Sequence, residues 1–179
     1  EPTYDEYDYS IFSNKFATEF HITNKAQLLG FMHAVNGIDG VLTPNNFKGK
    51  TVYLDCDILL NDTADWEYWG KYTYAESWTP IGTGSYYMDP VHPFLGIFDG
   101  QGHVISGLYI DAEENFKTIA NHYEDGLFGY VGTKGEATEI RNLGVQASVA
   151  DMRVYTLNVQ TDAGLLVGVL RDGTISQCF

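Results

Sequence analysis

Two short blocks recur along this chain, and a sequence that repeats itself every few dozen residues is confined to a small set of folds. The first block reads Ile105-Ser-Gly-Leu108-Tyr-Ile110, then Ile140-Arg-Asn-Leu143-Gly-Val145, then Ile175-Ser-Gln-Cys178-Phe179. Its leading Ile stands at 105, 140 and 175, so both spacings are 35. Leu108, Leu143 and Cys178 fall in a second column with the same spacing. The other block precedes the first each time: Phe94-Leu-Gly96-Ile-Phe98, Leu127-Phe-Gly129-Tyr-Val131 and Leu166-Val-Gly168-Val-Leu170. Apolar residues at alternate positions lie on one face of a strand. Asp99-Gly100-Gln101-Gly102, Thr133-Lys134-Gly135 and Asp172-Gly173 separate the blocks and supply turns.

A unit with two short strands cannot bury itself, and stacking equivalent units builds a continuous core. The spacing therefore predicts an all-β chain: a right-handed parallel β-helix with Ile on Ile and Leu on Leu. A propeller or a sandwich is the second choice, since both also use short strands.

Upstream the period changes. Asn24-Lys-Ala-Gln27 has the form of a capping box, and Leu28, Phe31, Met32 and Val35 make one helical stripe. Asn36-Gly37 ends that helix. Val52, Leu54, Cys56, Ile58 and Leu60 then alternate with Tyr53, Asp55, Asp57 and Leu59. The expected organisation is an acidic leader over 1–20, a cap over 21–93 and repeats over 94–179. The cap comprises a short capping α-helix, a first strand and aromatic loops. The repeats break off within a unit, leaving Leu170, Ile175 and Cys178 at an open end that favours end-to-end association.

Composition narrows the function. Twenty-four acidic residues against ten Lys and Arg give a net charge of −14. Such a chain does not neutralise phosphates by bulk charge, which argues against nucleic acid and anionic membranes as partners. No apolar run approaches the length of a membrane helix. The chain opens on Glu1 without a signal-like segment, which reads as a mature or excised piece. Cys56 and Cys178 fall in inward columns far apart and are expected to be free.

The densest chemical signal is aromatic. Residues 66–87 hold Trp66, Tyr68, Trp69, Tyr72, Tyr74, Trp78, Tyr86 and Tyr87. Sugar rings stack their apolar faces on such side chains, so all but Trp78 are candidate ligand-binding residues. Trp78, beside Pro80-Ile81, reads as core. Lys71 is the only basic residue of the stretch, so a basic track for single-stranded nucleic acid is lacking. Asp55, Asp57, Asn61, Asp62 and Asp65 offer oxygens for Ca²⁺, but their spacing is not that of a calcium loop, and no metal or other cofactor is expected. Asp99, Asp125 and Asp172 each precede Gly and read as turn residues.

Phe98-Asp-Gly-Gln-Gly-His-Val-Ile-Ser-Gly-Leu-Tyr-Ile110, Gly126-Leu-Phe-Gly129 and Ile140-Arg-Asn-Leu-Gly-Val145 resemble the GLUG-motif repeat proteins. So do Ile22-Thr-Asn-Lys-Ala-Gln-Leu28, Phe47-Lys-Gly-Lys-Thr-Val-Tyr-Leu-Asp55 and Trp78-Thr-Pro-Ile-Gly82. The resemblance covers roughly 20–179. It departs at Leu165-Leu-Val-Gly168, where the motif expects a leading Gly. It implies a right-handed β-helix in a secreted or surface-attached bacterial protein. It implies no known catalytic activity. The function expected is therefore structural or adhesive and non-enzymatic. The expected partners are a glycan, a host or cell-surface protein, and further repeats or domains of the parent chain. The rival is a polysaccharide-active hydrolase or lyase, although the clustered Asp, Gly-His-Gly and Arg-x-Lys patterns of such enzymes are missing, and Gly102-His103-Val104 matches only part of one.

Overall fold

The computed structural model describes residues 6–85, 88–118, 124–151 and 162–179. The chain is mainly β. Strand β1 (Glu19–Ile22) leads into helix α1 (Lys25–Asn36), then β2 (Thr51–Leu54) and β3 (Ile58–Leu59). The hairpin strands β4 (Thr83–Ser85) and β5 (Met88–His92) follow, then β6 (Ile97–Asp99), β7 (Val104–Ser106) and β8 (Tyr109–Asp111). A short helix α2 (Ala112–Thr118) precedes β9 (Glu124–Asp125) and β10 (Phe128–Val131). The last strands are β11 (Glu139–Arg141), β12 (Gly144–Gln146), β13 (Val149–Asp151), β14 (Asp162–Ala163), β15 (Val167–Leu170) and β16 (Thr174–Ser176).

One sheet has five parallel strands in the order β1-β2-β6-β11-β16, and a second has three, β12-β7-β3. β10 with β15, β8 with β13 and β9 with β14 form parallel pairs, while β4 and β5 pair antiparallel.

The expected right-handed parallel β-helix on a 35-residue period is corrected by this arrangement. The described residues form several short parallel sheets of unequal size, one antiparallel hairpin and two helices, and a closed solenoid is not among them. The register also departs from the period. Ile140 pairs with Ile175, as the columns predict, but its other neighbour is Phe98 and not Ile105. Ile105 sits between Ile58 and Val145. The cause is that Ile105 and Ile140 lie in different sheets, β7 in the three-stranded and β11 in the five-stranded one, and that the chain takes 42 residues from Phe98 to Ile140 but 35 from Ile140 to Ile175. Corner length adds a smaller slip. Four residues separate Asp99 from Val104, but only two separate Arg141 from Gly144, so the offset slips from 42 at Ile97–Glu139 to 40 at Val104–Gly144. A constant column cannot survive corners of different length. In the other block, Gly129 and Gly168 do align, since Phe128 pairs with Val167. Phe94 only bridges Val131, while Ile97–Asp99 joins the five-stranded sheet.

Local signals upstream are obeyed closely. The Asn24 side chain accepts the Gln27 N–H at 2.9 Å. Gln27 reaches one residue further back than a capping box requires, accepting from the Thr23 N–H at 2.8 Å. Gly37, at φ 82°, closes the helix with its N–H on the His33 carbonyl. Leu28, Phe31, Met32 and Val35 are all buried. The alternating run after Thr51 buries Val52, Leu54, Ile58 and Leu60 and exposes Leu59, but it bends at Asp55–Asp57 and so feeds two different sheets.

The leader is docked from Asp8 onward. The Asp8 N–H donates to the Ala26 carbonyl, and Phe12 enters the core. Helix α1 accepts this approach because residue 30 is Gly: a Cβ there would overlap the Asp8 backbone. Phe12, Phe31, Phe98 and Phe128 form a chain of ring contacts at 5.3–5.7 Å that joins leader, helix and strands in one core. Asp111, the last residue of β8, caps α2 by accepting the Glu114 N–H at 3.0 Å.

Candidate functional site

The aromatic stretch forms a loop whose two stems are tied together. Asn61 Nδ2 donates to the carbonyls of Glu76 (3.1 Å) and Gly107 (2.9 Å), and the Glu76 N–H donates to Asn61 Oδ1 (2.8 Å). A side-chain amide at Asn61 thus does the work of a strand pair. Within the loop, the N–H groups of Tyr72 and Thr73 both donate to the Tyr68 carbonyl, and the Thr73 hydroxyl donates to the Asp65 carbonyl.

Trp69 is the anchor. It is 5% exposed, and its ring meets the edge of Tyr109 at 6.0 Å in a small cluster with Ala75 and the half-buried Val149. The next residue, Gly70, has φ 70°, and a Cβ would overlap the Tyr109 hydroxyl, so only Gly lets the loop lie this close. With Trp69 turned inward, its neighbours face solvent. Trp66 is 47% exposed, Tyr68 50%, Tyr72 86% and Tyr74 83%. Tyr68 and Tyr72 stand 6.2 Å apart with their planes inclined at 60°. Of the seven candidate residues, four form this surface, Trp69 holds it, and Tyr86 and Tyr87 lie outside the described residues. Trp78 is core, as expected, with its Nε1 donating to the Leu127 carbonyl at 3.0 Å.

Sequence reasoning misses a cavity of about 340 Å³ at the loop's base. Leu29 and Met32 of α1 form one wall, and Leu60 and Trp78 form the other. The stems Asn61 and Glu76 line it as well. Lys25 closes one side with its Nζ on the Leu60 carbonyl at 2.7 Å. His33 lies 4.4 Å from the Tyr7 ring, and burial pushes its imidazole below the ordinary 6.5. The helical stripe of the sequence identifies Met32 as core but does not show that Leu29, on its margin, lines a cavity with Leu60 and Trp78.

The acidic residues have other duties. His21 Nδ1 lies 2.9 Å from Asp55 Oδ2, and Gln101 donates to the same carboxylate. Asp57 accepts from the Val104 N–H at 2.9 Å and lies 3.0 Å from His103 Nδ1. Its carboxyl is held below the ordinary value by the Val104 hydrogen bond first, then by His103. Cys56 stands between these two His–Asp pairs, but burial, then Asp57 and Asp55, push its thiol up. A protonated thiol is a poor nucleophile, so the three residue types do not make an activated cysteine.

Asp99 and Asp125 are more than turn residues. Asp99 accepts from Asn142 Nδ2, the Gln101 N–H and Arg141 Nε, each at 2.9 Å. Burial opposes its charge, but these hydrogen bonds more than offset it and lower its pKa. Arg141 also reaches Glu139 at 2.9 Å, so the network crosses the sheet. Asp125 is fully buried and accepts from Asn115 Nδ2 at 2.9 Å. Among the described residues no three His, Cys, Asp or Glu side chains group as a metal site. Among them, too, no helix is long and apolar enough to cross a membrane.

No protein-family model, curated protein or solved structure matches the chain.

Proposed function

We propose that this chain is a non-catalytic carbohydrate-binding segment of an extracellular or cell-surface bacterial protein, with a structural or adhesive role. The observation that carries the reading is the loop over 62–75. It shows Trp66, Tyr68, Tyr72 and Tyr74 to solvent while Trp69 locks it against Tyr109. A monomeric surface rarely keeps several large aromatics of one loop exposed without a partner. A loop held in place before binding loses little backbone entropy when a sugar stacks on its rings. The net charge of −14 and the single Lys71 favour a glycan over nucleic acid as the partner of these rings. The GLUG-like motifs support a place in a surface or secreted chain, beside further repeats or domains.

The test is a glycan screen followed by calorimetry on the best hit. Tyr72→Ala and Tyr74→Ala should each weaken binding tenfold or more without moving the melting temperature, because both side chains are largely exposed. A screen without hits, or hits untouched by both variants, would refute the proposal.

A further inference from the structure

We infer that the cavity at the loop's base takes one sugar residue of the glycan, an uncharged one bearing an apolar substituent such as an N-acetyl group. The inference rests on the carbohydrate reading above and names the class of sugar that the same site selects.

Size comes first. A cavity of about 340 Å³ is at the small end of the range of roughly 300–1,000 Å³ for organic-ligand pockets. That suits a single substituted pyranose better than a flat polymer surface or a long acyl chain.

The lining has two characters. Leu29 and Met32 on one wall and Leu60 and Trp78 on the other present apolar surface, suited to a methyl group or the apolar face of a ring. Ser77, whose hydroxyl oxygen accepts the Asp111 N–H, has its O–H to donate, and Asn61 Oδ1, which accepts the Glu76 N–H, has a second lone pair for a hydroxyl or an amide. Met32 adapts its shape to an irregular substituent.

Charge then excludes acidic and basic sugars. Among the described residues, Lys25 and Glu76 are the two lining side chains of formal charge, one of each sign. His33 adds none at neutral pH, because burial disfavours its protonated form. A uronic acid or an amino sugar would bring a charge into a partly closed apolar space that has no net countercharge, at a cost in desolvation. The overall charge of −14 further disfavours the acid.

The cavity and the aromatic surface are parts of one construction. Asn61 and Glu76 line the cavity and are also the stems from which the aromatic loop departs. A glycan with its end residue in the cavity would continue along these stems onto the loop. The walls are held before binding, with Lys25 on the Leu60 carbonyl and Asn61 on the Glu76 and Gly107 carbonyls.

The experiment is an amide chemical-shift titration of the wild-type chain with N-acetylglucosamine, glucose and glucuronic acid. Calorimetry with a bound oligosaccharide follows, on Leu29→Trp, which fills the cavity, and on Tyr72→Ala. The N-acetylated sugar should shift Leu29, Met32, Asn61 and Ser77 and bind at least tenfold more tightly than the other two. Leu29→Trp should weaken the oligosaccharide at least tenfold. Shifts confined to residues 66–74, or a preference for glucuronic acid, would overturn the inference while leaving the carbohydrate reading in place. If the oligosaccharide responds to Tyr72→Ala but not to a folded Leu29→Trp, the result is the same. Should Leu29→Trp fail to fold, the wild-type shifts alone decide. Absence of binding by every sugar would remove both readings.

Discussion

Replacing Trp69 by Ala should open the aromatic loop and leave the rest of the molecule standing. A buried Trp removes on the order of 150–250 Å² from water. At about 25 cal/mol per Å² this amounts to an upper value of roughly 4–6 kcal/mol, and Trp→Ala changes in cores cost about 3–5. Against this stands the cost of ordering 62–75, about 1 kcal/mol or more per residue. The loop's hydrogen bonds return only about 1 kcal/mol each. The closed loop therefore depends on Trp69. The main core does not, because Trp69 packs with Ala75, Tyr109 and Val149 in a cluster apart from it. The penalty is then limited to the free energy of opening the loop. A loss of about 3 kcal/mol is a factor of roughly 10² in an opening equilibrium. Hydrogen exchange should show the amides of Tyr72 and Thr73, both bonded to the Tyr68 carbonyl, exchanging about 10²-fold faster. Amides in the five-stranded sheet, such as Ile97 and Gly100, should keep their protection. Glycan affinity should fall at least tenfold although Trp69 offers a ligand almost no surface. Unchanged loop protection would refute the anchor. An equal loss in loop and sheet would refute the loop's independence.

Leu143→Asp should unfold the chain or cost several kcal/mol in urea denaturation, because it places a carboxylate at a fully buried position. Asp111→Ala should cost only about 1 kcal/mol, the value of the lost cap on α2, and equal midpoints for the two variants would contradict the burial assignment. Asp99→Asn should cost about 1–3 kcal/mol at neutral pH through its weakened charge-assisted bonds. Since the folded pKa of Asp99 lies below the ordinary 3.8, its contribution is complete above that value and is lost as pH falls through the lower folded pKa. The gap between wild type and Asp99→Asn should therefore close in acid, and a gap that stays constant down to the lowest accessible pH would contradict the network. Leu170, Ile175 and Phe179 are 40%, 40% and 71% exposed beside the edge strands β15 and β16, so sedimentation should show association rising with concentration, and a monomer throughout would contradict an adhesive edge.

What the sequence revealed depended on how local the cause was. The α1 helix was legible because cap, stripe and terminator lie within fourteen residues, from Asn24 to Gly37. The alternation at 52–60 was legible for burial but not for sheet membership, since the bend at Asp55–Asp57 leaves the period-two pattern intact. The columns misled because equal spacing of Ile105, Ile140 and Ile175 says nothing about which sheet each one enters. Ile105 stands in β7 of the three-stranded sheet and Ile140 in β11 of the five-stranded one, so Ile105 pairs with Val145 while Ile140 pairs with Phe98. The aromatic surface was visible as composition. Its division into one anchor and four exposed rings was not, because Trp69 and Trp66 are distinguished only by Tyr109, forty residues on. The cavity left no mark, since it arises where helix α1 meets two loop stems distant in sequence. Asp99 and Asp125 looked like turn formers because Gly follows each, and their partners Asn142, Arg141 and Asn115 come from other elements.

The central claim is that the loop over 62–75 is a carbohydrate surface, and the most direct measurement is calorimetric titration of an oligosaccharide of N-acetylated sugars into wild type, Tyr72→Ala and Gly70→Ala. Tyr72→Ala removes a stacking face, and Gly70→Ala forces the loop away from Tyr109 without touching any exposed ring. The account predicts saturable binding by the wild type and at least a tenfold loss in both variants, with melting temperatures within a few degrees of each other. Binding that is absent in the wild type, or equal in all three proteins, would contradict it.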